Sequence, residues 1–265
     1  MTKFSDLSLN PKILKAIDEA GYETPTPIQA QAIPAALAGK DVLGIAQTGT
    51  GKTASFTLPM IHLLARGRAR ARMPRSLVLC PTRELAAQVA ENFDTYTKHL
   101  KLTKALLIGG VSFKEQDLLI DKGVDVLIAT PGRLLDHFER GKLLLTGVQV
   151  MVVDEADRML DMGFHREISK IISFLPDKRQ NLLFSATFSK DIKSLAQGIL
   201  KHPVNIETNP ENSTVEAINQ FVYKVDKVRK TELIIKLIKD GDWDQVLVFT
   251  RTKHGANNLC KKMKS

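Results

Sequence analysis

The feature that most constrains the fold is a series of short apolar runs, separated from one another by stretches with helical periodicity. The runs are rich in Val, Ile and Leu and almost continuous, which is typical of strands covered on both faces. They are DVLGIA (41–46), SLVLCP (76–81), ALLIGG (105–110), DVLIATP (125–131), VMVVD (150–154), NLLFSAT (181–187) and VNIET (204–208). Alternating strands and helices predict right-handed βαβ units, and therefore an α/β fold with a mainly parallel sheet between two layers of helices.

A polar segment, NPENSTVEA (209–217), separates these runs from a shorter second group of elements. Its proline and its few apolar residues are typical of a linker. The second group comprises predicted strands NQFVYKV (219–225) and QVLVFTRT (245–252), each followed by a helix, the first over 227–239. Two strands and two helices make a poor core on their own. We therefore predict one complete domain over 1–208 and the incomplete start of another over 218–265.

Composition narrows the class of protein. No apolar run approaches the ~18 to 20 residues of a membrane span, and the N-terminus MTKFSDLSLN lacks the apolar core of a signal peptide. Cys80 and Cys260 are far apart and indicate reduced thiols, while the six histidines show no ligand spacing. These features predict a cytoplasmic protein without a membrane partner.

The net charge of +9 favours a polyanionic partner, nucleic acid before an anionic membrane. The densest basic segment, RGRARARMPR (66–75), contains Gly67 and Pro74 and shows no apolar periodicity. We interpret it as a solvated surface loop rather than a dedicated RNA contact.

AQTGTGKT (46–53) lies between the first strand and a helical pattern, and it ends as a phosphate-binding loop does, although Ala46 replaces the usual first glycine. Gly49 and Gly51 allow backbone N–H groups to turn inward at a helix N-terminus. Lys52 can reach the β- and γ-phosphates of a nucleotide, and Thr53 can place its hydroxyl on Mg²⁺.

Three carboxylates follow the strand VMVV, in the sequence DEAD. Ligands of open parallel sheets bind beyond the carboxyl ends of the strands. Asp154 is therefore placed to hold Mg²⁺, and Glu155 to act as general base toward an attacking water. Asp157 lies further along and is expected to orient neighbours, or simply to cap the following helix. Together with the phosphate loop, this pattern predicts nucleotide hydrolysis.

Seven motifs in order give the chain a family resemblance. They are GYETPTPIQ (21–29), AQTGTGKT, PTRELA (81–86), the Gly109-Gly110 pair, TPGR (130–133), DEAD and SAT (185–187). With these motifs the chain resembles the DEAD-box ATP-dependent RNA helicases, which implies a RecA-like P-loop NTPase domain. VLVFTRTK (246–253) is similar to the first motif of that family's second RecA-like domain, and FTRTKHGAN to the bacterial RhlE-like subgroup.

The resemblance implies further nucleotide contacts. Gln29 would read the adenine edges and Phe4 would stack on the ring, although alone they would be taken as a surface helix residue and a core residue. Tyr22 is expected to pack beneath the site. The remaining implied cofactor contacts are Thr24, Thr48, Thr50 and Ala54. Ser185 and Thr187 are implied to couple the nucleotide state to RNA binding through contacts with Asp157, their alternative role being strand-end capping.

The resemblance also implies an RNA site on three segments that follow strands. Its residues are Pro81, Thr82, Arg83, Gly109, Gly110, Thr130, Gly132 and Arg133. Small residues, backbone amides and two arginines suit phosphates rather than bases, so binding independent of RNA sequence is expected. Discrimination against DNA would rest on 2′-hydroxyl groups and A-form shape.

The implied activity is ATP-dependent local unwinding of RNA or remodelling of its complexes, by a monomer with ribosome-assembly or RNA-decay proteins as candidate partners. The family's late His-Arg-x-Gly-Arg-x-x-Arg motif, whose arginines reach the γ-phosphate, does not occur in these 265 residues. We therefore expect this chain to bind nucleotide but not to unwind a duplex. An ATP-switched RNA clamp or scaffold is the alternative, and a DNA helicase of the same superfamily is disfavoured by GYETPTPIQ together with SAT.

Overall fold

The computed structural model describes residues 2–208, 219 and 221–264. The chain divides into two compact units, Met1–Glu211 and Asn212–Ser265. The linker predicted over 209–217 lies outside the described residues. The domain limits at 208 and 218 therefore stay a prediction.

Within residues 2–208, seven strands form one sheet in which every pairing is parallel. They are β1 (Val42–Ile45), β2 (Ser76–Leu79), β3 (Lys104–Leu107), β4 (Val126–Ala129), β5 (Val150–Val153), β6 (Gln180–Ser185) and β7 (Val204–Glu207), in the order β3-β4-β2-β5-β6-β1-β7. The seven strands predicted for this unit are confirmed. Most strands end before their apolar run does, because the last residues of the run already belong to a loop.

Helices cover both faces of this sheet. They are α1 (Pro11–Glu19), α2 (Pro27–Leu37), α3 (Lys52–Leu64), α4 (Arg83–Thr97), α5 (Phe113–Lys122), α6 (Pro131–Glu139), α7 (Ala156–Asp161), α8 (His165–Ser173) and α9 (Lys190–Ile199), with 3₁₀ turns at Phe4–Leu7 and Leu145–Gly147. Successive strand residues point to opposite faces, so Val42 packs in one buried cluster and Leu43 in the other. The predicted α/β fold, with its sheet covered on both faces, is confirmed.

The parallel sheet places all strand carboxyl ends along one edge. The loops after β1, β5 and β6 lie side by side on what we call the β5–β6–β1 half of this edge. The loops after β2, β3 and β4 lie on the β3–β4–β2 half. Six of the seven motifs thus divide between two neighbouring regions of one edge, and GYETPTPIQ lies between α1 and the start of α2.

The basic segment 66–75 precedes β2 and therefore lies at the opposite, amino-terminal edge. Arg66, Arg68 and Arg70 are exposed there, as predicted for a solvated loop. The prediction is wrong for Arg75, which is buried and forms an ion pair with Asp125 at 3.1 Å. Arg75 also donates to the carbonyl oxygen of Leu64, so its charge anchors the loop to the domain.

The second unit contains a 3₁₀ turn, Lys227–Arg229, and two helices, α10 (Lys230–Asp240) and α11 (Lys253–Lys264). The helix predicted over 227–239 is confirmed. The two predicted strands are wrong, since their described residues, 219, 221–225 and 245–252, do not have strand geometry. A strand needs a hydrogen-bonded neighbour, and here Phe221, Leu247 and Phe249 are largely exposed instead.

Candidate functional site

The loop between β1 and α3 turns tightly around the start of the helix. Gly49 and Gly51 have φ angles of 84° and 88°, in the left-handed region that glycine adopts readily. At Gly51 a Cβ atom would lie 2.3 Å from Gln29 Nε2, so a side chain there would displace the Gln29 amide. Because α3 begins at Lys52, its unpaired N–H groups face the loop and provide an anion site.

Lys52 is held inside the curve of this loop. It is 6% exposed, and its Nζ donates to the carbonyl oxygen of Ala46 at 2.7 Å. Thr50 Oγ1 donates to the carbonyl oxygen of Gln47 at 2.7 Å. Lys52 therefore stands where an anion bound by the loop would meet it, whereas the Thr50 hydroxyl is committed to the loop's own backbone.

Asp154 and Glu155 follow β5, two strands from the phosphate loop. Asp154 is buried and accepts a hydrogen bond from Glu155 N at 3.0 Å. Burial raises the pKa of Asp154 to about 7; the Lys52 ammonium opposes this rise and the Glu155 carboxylate adds to it. Glu155 has a φ of 50°, a left-handed conformation that costs a non-glycine residue about 1–2 kcal/mol. Such strain is concentrated at functional sites.

Gln29 connects the start of α2 to the phosphate loop. Its Oε1 accepts from Thr26 N at 2.9 Å, and its Nε2 donates to the carbonyl oxygen of Gly51 at 3.1 Å. An amide side chain has two donors and two acceptor positions. Among the residues that the structure describes, one of each has no partner in Gln29 and could meet a ligand. Nearby, Phe4 is buried in the core, while Tyr22 is 53% exposed rather than packed beneath the site.

A single cavity of about 490 Å³ brings these groups together. The sequence-predicted residues that line it are Phe4, Tyr22, Thr24, Gln29, Thr48, Gly49, Gly51, Lys52, Thr53, Ala54, Asp154 and Glu155. Thr50 does not line it. The base-binding, phosphate-binding and carboxylate residues predicted from separate motifs therefore share one site.

The cavity has a further wall, formed by α4, that the sequence interpretation missed. Gln88, Asn92 and Tyr96 line the cavity, together with Leu85 and Val89. Their spacing is that of one helix face, which in the sequence resembles an ordinary core stripe. The polar Gln88 and Asn92 within that stripe were the available signal.

The residues predicted to couple the nucleotide state to RNA binding lie beside this cavity. Ser185 is fully buried at the end of β6, where its carbonyl oxygen accepts from Ala46 N and its Oγ accepts from Thr187 N at 3.3 Å. Asp157 lines an adjoining cavity of about 420 Å³ together with Ala186. Among the described residues, no hydrogen bond joins Asp157 to Ser185 or Thr187. The contacts implied for these residues therefore stay a prediction.

On the β3–β4–β2 half, two arginines hold one turn. Arg83 Nη1 donates to the carbonyl oxygen of Gly109 at 3.1 Å, and Arg133 Nη2 donates to that of Val111. Gly110 lies between Gly109 and Val111 in the chain and has a φ of 83°. The three segments predicted for RNA contact are therefore joined through side chain to backbone bonds.

The other predicted residues of this half lie around that turn. Thr82 caps α4 and accepts from Leu85 N, and Thr130 is the residue before α6. Pro81 is buried at the end of β2. Gly109 and Gly132 have open space where a side chain would be, so a ligand can approach the backbone there.

The sheet, the phosphate loop after β1 and the carboxylates after β5 together define a RecA-like domain of the P-loop class. Sequence comparison identifies the family. The model for DEAD/DEAH box helicases matches residues 26–195, and the chain belongs to this family.

Three relatives illustrate the match. The DEAD-box ATP-dependent RNA helicase RhpA of Helicobacter pylori is 43% identical over 97% of this chain and 51% of its own length. The ATP-dependent RNA helicase DeaD of Mycobacterium tuberculosis is 41% identical over 99% of this chain and 46% of its own length. The ATP-dependent RNA helicase RhlB of Shewanella oneidensis is 40% identical over 97% of this chain and 60% of its own length. The chain thus spans about half the length of these relatives, and its place in the RhlE-like subgroup stays a prediction.

Among the described residues, none of the helices combines the length and apolar composition that crossing a bilayer requires.

Proposed function

We propose that this chain is the nucleotide-binding and RNA-backbone-binding part of an ATP-dependent RNA helicase. The observation that carries the proposal is the single cavity that unites Gln29, Lys52, Asp154 and Glu155 in a member of the DEAD/DEAH box family. The relatives named above are all ATP-dependent RNA helicases by name.

ATP is the substrate that this cavity fits best. Its volume lies in the usual range for small-molecule sites. The free donor and acceptor of Gln29 match the N7 and N6 groups of adenine. The N–H groups at Gly49 and Gly51, with the Lys52 ammonium, would bind the phosphates. Glu155 would accept the proton of the attacking water.

The residues present also fit Mg²⁺. Thr53 and Asp154 offer the oxygen ligands that Mg²⁺ prefers, with water completing its coordination. The raised pKa of Asp154 marks a buried carboxylate with too little positive charge near it. When bound, Mg²⁺ would neutralise charge on the phosphates.

RNA would bind along the β3–β4–β2 half through its backbone. Arg83 and Arg133 supply charge, and the open glycines allow close approach to backbone N–H groups. No base-reading geometry is required, so binding would be independent of RNA sequence, with 2′-hydroxyl groups selecting RNA over DNA.

We further propose that residues 1–208 are a RecA-like domain and that 218–265 begin a second one after a linker over 209–217. Arginines supplied to phosphoryl transfer are worth about 10³ to 10⁵ in rate. Since these 265 residues lack the late arginine motif, the chain alone should bind nucleotide, hydrolyse it poorly and leave duplexes intact. A cytoplasmic, monomeric protein is expected.

Equilibrium binding to the purified 265-residue chain tests the proposal. Fluorescent ATP should bind and be displaced by ATP far better than by GTP, and labelled single-stranded RNA should be displaced by RNA better than by DNA. Equal affinity for ATP and GTP would refute the adenine assignment. RNA-stimulated ATP turnover at rates usual for helicases would refute the expected weak activity of this chain.

A further inference from the structure

A buried glutamine lies under the turn that the two arginines hold. Gln116, on α5, is 2% exposed. Its Nε2 donates to the carbonyl oxygens of Leu106 and Ile108, at 3.2 and 3.1 Å. Because both partners are acceptors, the amide cannot be reversed without placing oxygen against oxygen. Gln116 Oε1 must therefore face away from β3.

Gln116 Oε1 faces Arg133. It accepts a hydrogen bond from Arg133 Nε at 2.8 Å and lies 2.8 Å from His137 Nε2. His137 is fully buried, and its Nδ1 lies 2.9 Å from Asp117 Oδ1. The glutamine amide thus bridges the end of β3 on one side and α6 on the other.

Two further contacts fix the Arg133 guanidinium. Its Cζ lies 3.4 Å from the centre of the Phe113 ring, and its Nη2 donates to the carbonyl oxygen of Val111. A guanidinium has five N–H donors. With one used at Gln116 and one at Val111, the other three are free of partners among the described residues. Arg133 is only partly buried, so these donors can face a ligand.

We propose that Gln116 is a positioning residue of the RNA site: it orients Arg133 so that the three free donors are held ready for a phosphate. This inference rests on the proposed contact of Arg133 with the RNA backbone. An arginine side chain otherwise loses rotamer entropy when a ligand immobilises it. Gln116 lets much of that ordering occur before RNA binds, which is how preorganisation raises affinity.

A buried glutamine could instead serve folding alone, and the chain contains a matched control for that role. Gln180, at the start of β6, is also buried, and its Nε2 also donates to two backbone carbonyls, those of Ala36 and Lys40. It lies at the amino-terminal edge of the sheet, away from the proposed RNA site. Replacing either glutamine by methionine removes similar backbone bonds.

The test is the affinity of the 265-residue chain for fluorescent single-stranded RNA, measured over a range of salt concentrations. Arg133→Ala should weaken RNA binding about 10-fold. It should also make the fall of the logarithm of the association constant with the logarithm of salt concentration shallower, by about 0.7, the value for one single-strand phosphate contact. Gln116→Met should reproduce most of both changes, and the double variant should be no weaker than Arg133→Ala. Gln180→Met should lower the melting temperature without changing the slope.

Arg133→Lys tests the same inference without touching Gln116, in case Gln116→Met does not fold. Lysine keeps the charge but lacks the Nε–H that Gln116 holds, so affinity should fall nearly as far as in Arg133→Ala. Parent-like affinity in Arg133→Lys, or an unchanged slope in folded Gln116→Met, would overturn the positioning role while leaving the RNA site in place. An unchanged slope in Arg133→Ala would overturn both.

Discussion

The two halves of the sheet's carboxyl edge differ in how far their charged side chains are exposed to solvent. On the β5–β6–β1 half, Lys52 and Asp154 are 6% and 5% exposed and line a recessed cavity. On the β3–β4–β2 half, Arg83 is exposed, Arg133 is partly exposed, and both are held by backbone carbonyl oxygens. Buried charges interact strongly but are costly to desolvate. Exposed and oriented charges suit a long polyanion that crosses the surface.

This difference in exposure suits the two kinds of ligand proposed for the edge. A small ligand that undergoes chemistry benefits from a site that excludes water. A polymer bound through its phosphates needs an open surface with donors already in place. The comparison predicts that substitutions on one half will change binding of one ligand and leave binding of the other unchanged.

The largest expected effect is on the cavity half. Lys52→Ala should weaken ATP binding by about 3 kcal/mol, roughly 100-fold, because a buried charged contact to phosphate is lost. Binding of single-stranded RNA without nucleotide should be unchanged. Isothermal titration with each ligand measures this, and Lys40→Ala, an exposed lysine at the other edge, serves as control. Equal losses for both ligands would contradict the division into halves.

The second prediction concerns the cost of burying Asp154. Its pKa is raised to about 7 in the folded chain from 3.8, so the folded state binds a proton more tightly than the unfolded state. The stability from this protonation is present below about pH 4 and is lost as the pH rises through 7. Without metal or nucleotide, Asp154→Asn should therefore be more stable than the parent at pH 8.

Each unit of pKa shift corresponds to at most ~1.4 kcal/mol in the free energy of unfolding. Because the cavity admits water, which reduces the cost of burial, we expect Asp154→Asn to be more stable than the parent at pH 8 by about 2 kcal/mol. The difference should shrink toward pH 4. Urea unfolding at several pH values measures it. Destabilisation by Asp154→Asn at every pH would show that the carboxylate is not strained by burial.

The third prediction tests the open half. Arg83→Ala should weaken single-stranded RNA binding about 10-fold and lower the salt slope by about 0.7, with ATP affinity unchanged. Arg68→Ala, an exposed arginine in the basic segment at the opposite edge, is the control and should have a much smaller effect. The reverse ranking would move the RNA site to the basic segment.

The smallest effect is expected at the turn itself. Gly110→Ala forces alanine into a φ of 83° and should cost about 1 kcal/mol of stability. The new Cβ would lie 2.4 Å from Arg83 Nη1 and push it away from the Gly109 carbonyl, so RNA affinity should also fall. Gly163 has a φ of 85° and open space where a Cβ would lie. Gly163→Ala should therefore lower stability without changing RNA affinity. Thermal melts and RNA titrations of both variants measure this.

Much of this arrangement could be predicted from the sequence. Each apolar run within residues 2–208 corresponds to one strand of the sheet. The residues that end a run, such as Asp154 after VMVV, therefore lie at the carboxyl edge. Local patterns cannot supply side-chain contacts between distant segments. The burial of Arg75 depends on Asp125, fifty residues away, and the Gln29 amide bonds to Gly51. The predicted strands of the second unit failed for a related reason, because a strand also depends on a distant partner.

The central claim is that one edge carries an ATP site and an RNA site on separate halves. Amide NMR of the labelled 265-residue chain, titrated first with a non-hydrolysable ATP analogue and Mg²⁺ and then with single-stranded RNA, tests it most directly. The nucleotide should shift resonances of residues 46–54 and 154–155, and RNA those of 82–83, 109–111, 130 and 132–133. Nucleotide shifts confined to the β3–β4–β2 half, or RNA shifts confined to residues 66–75, would contradict the claim.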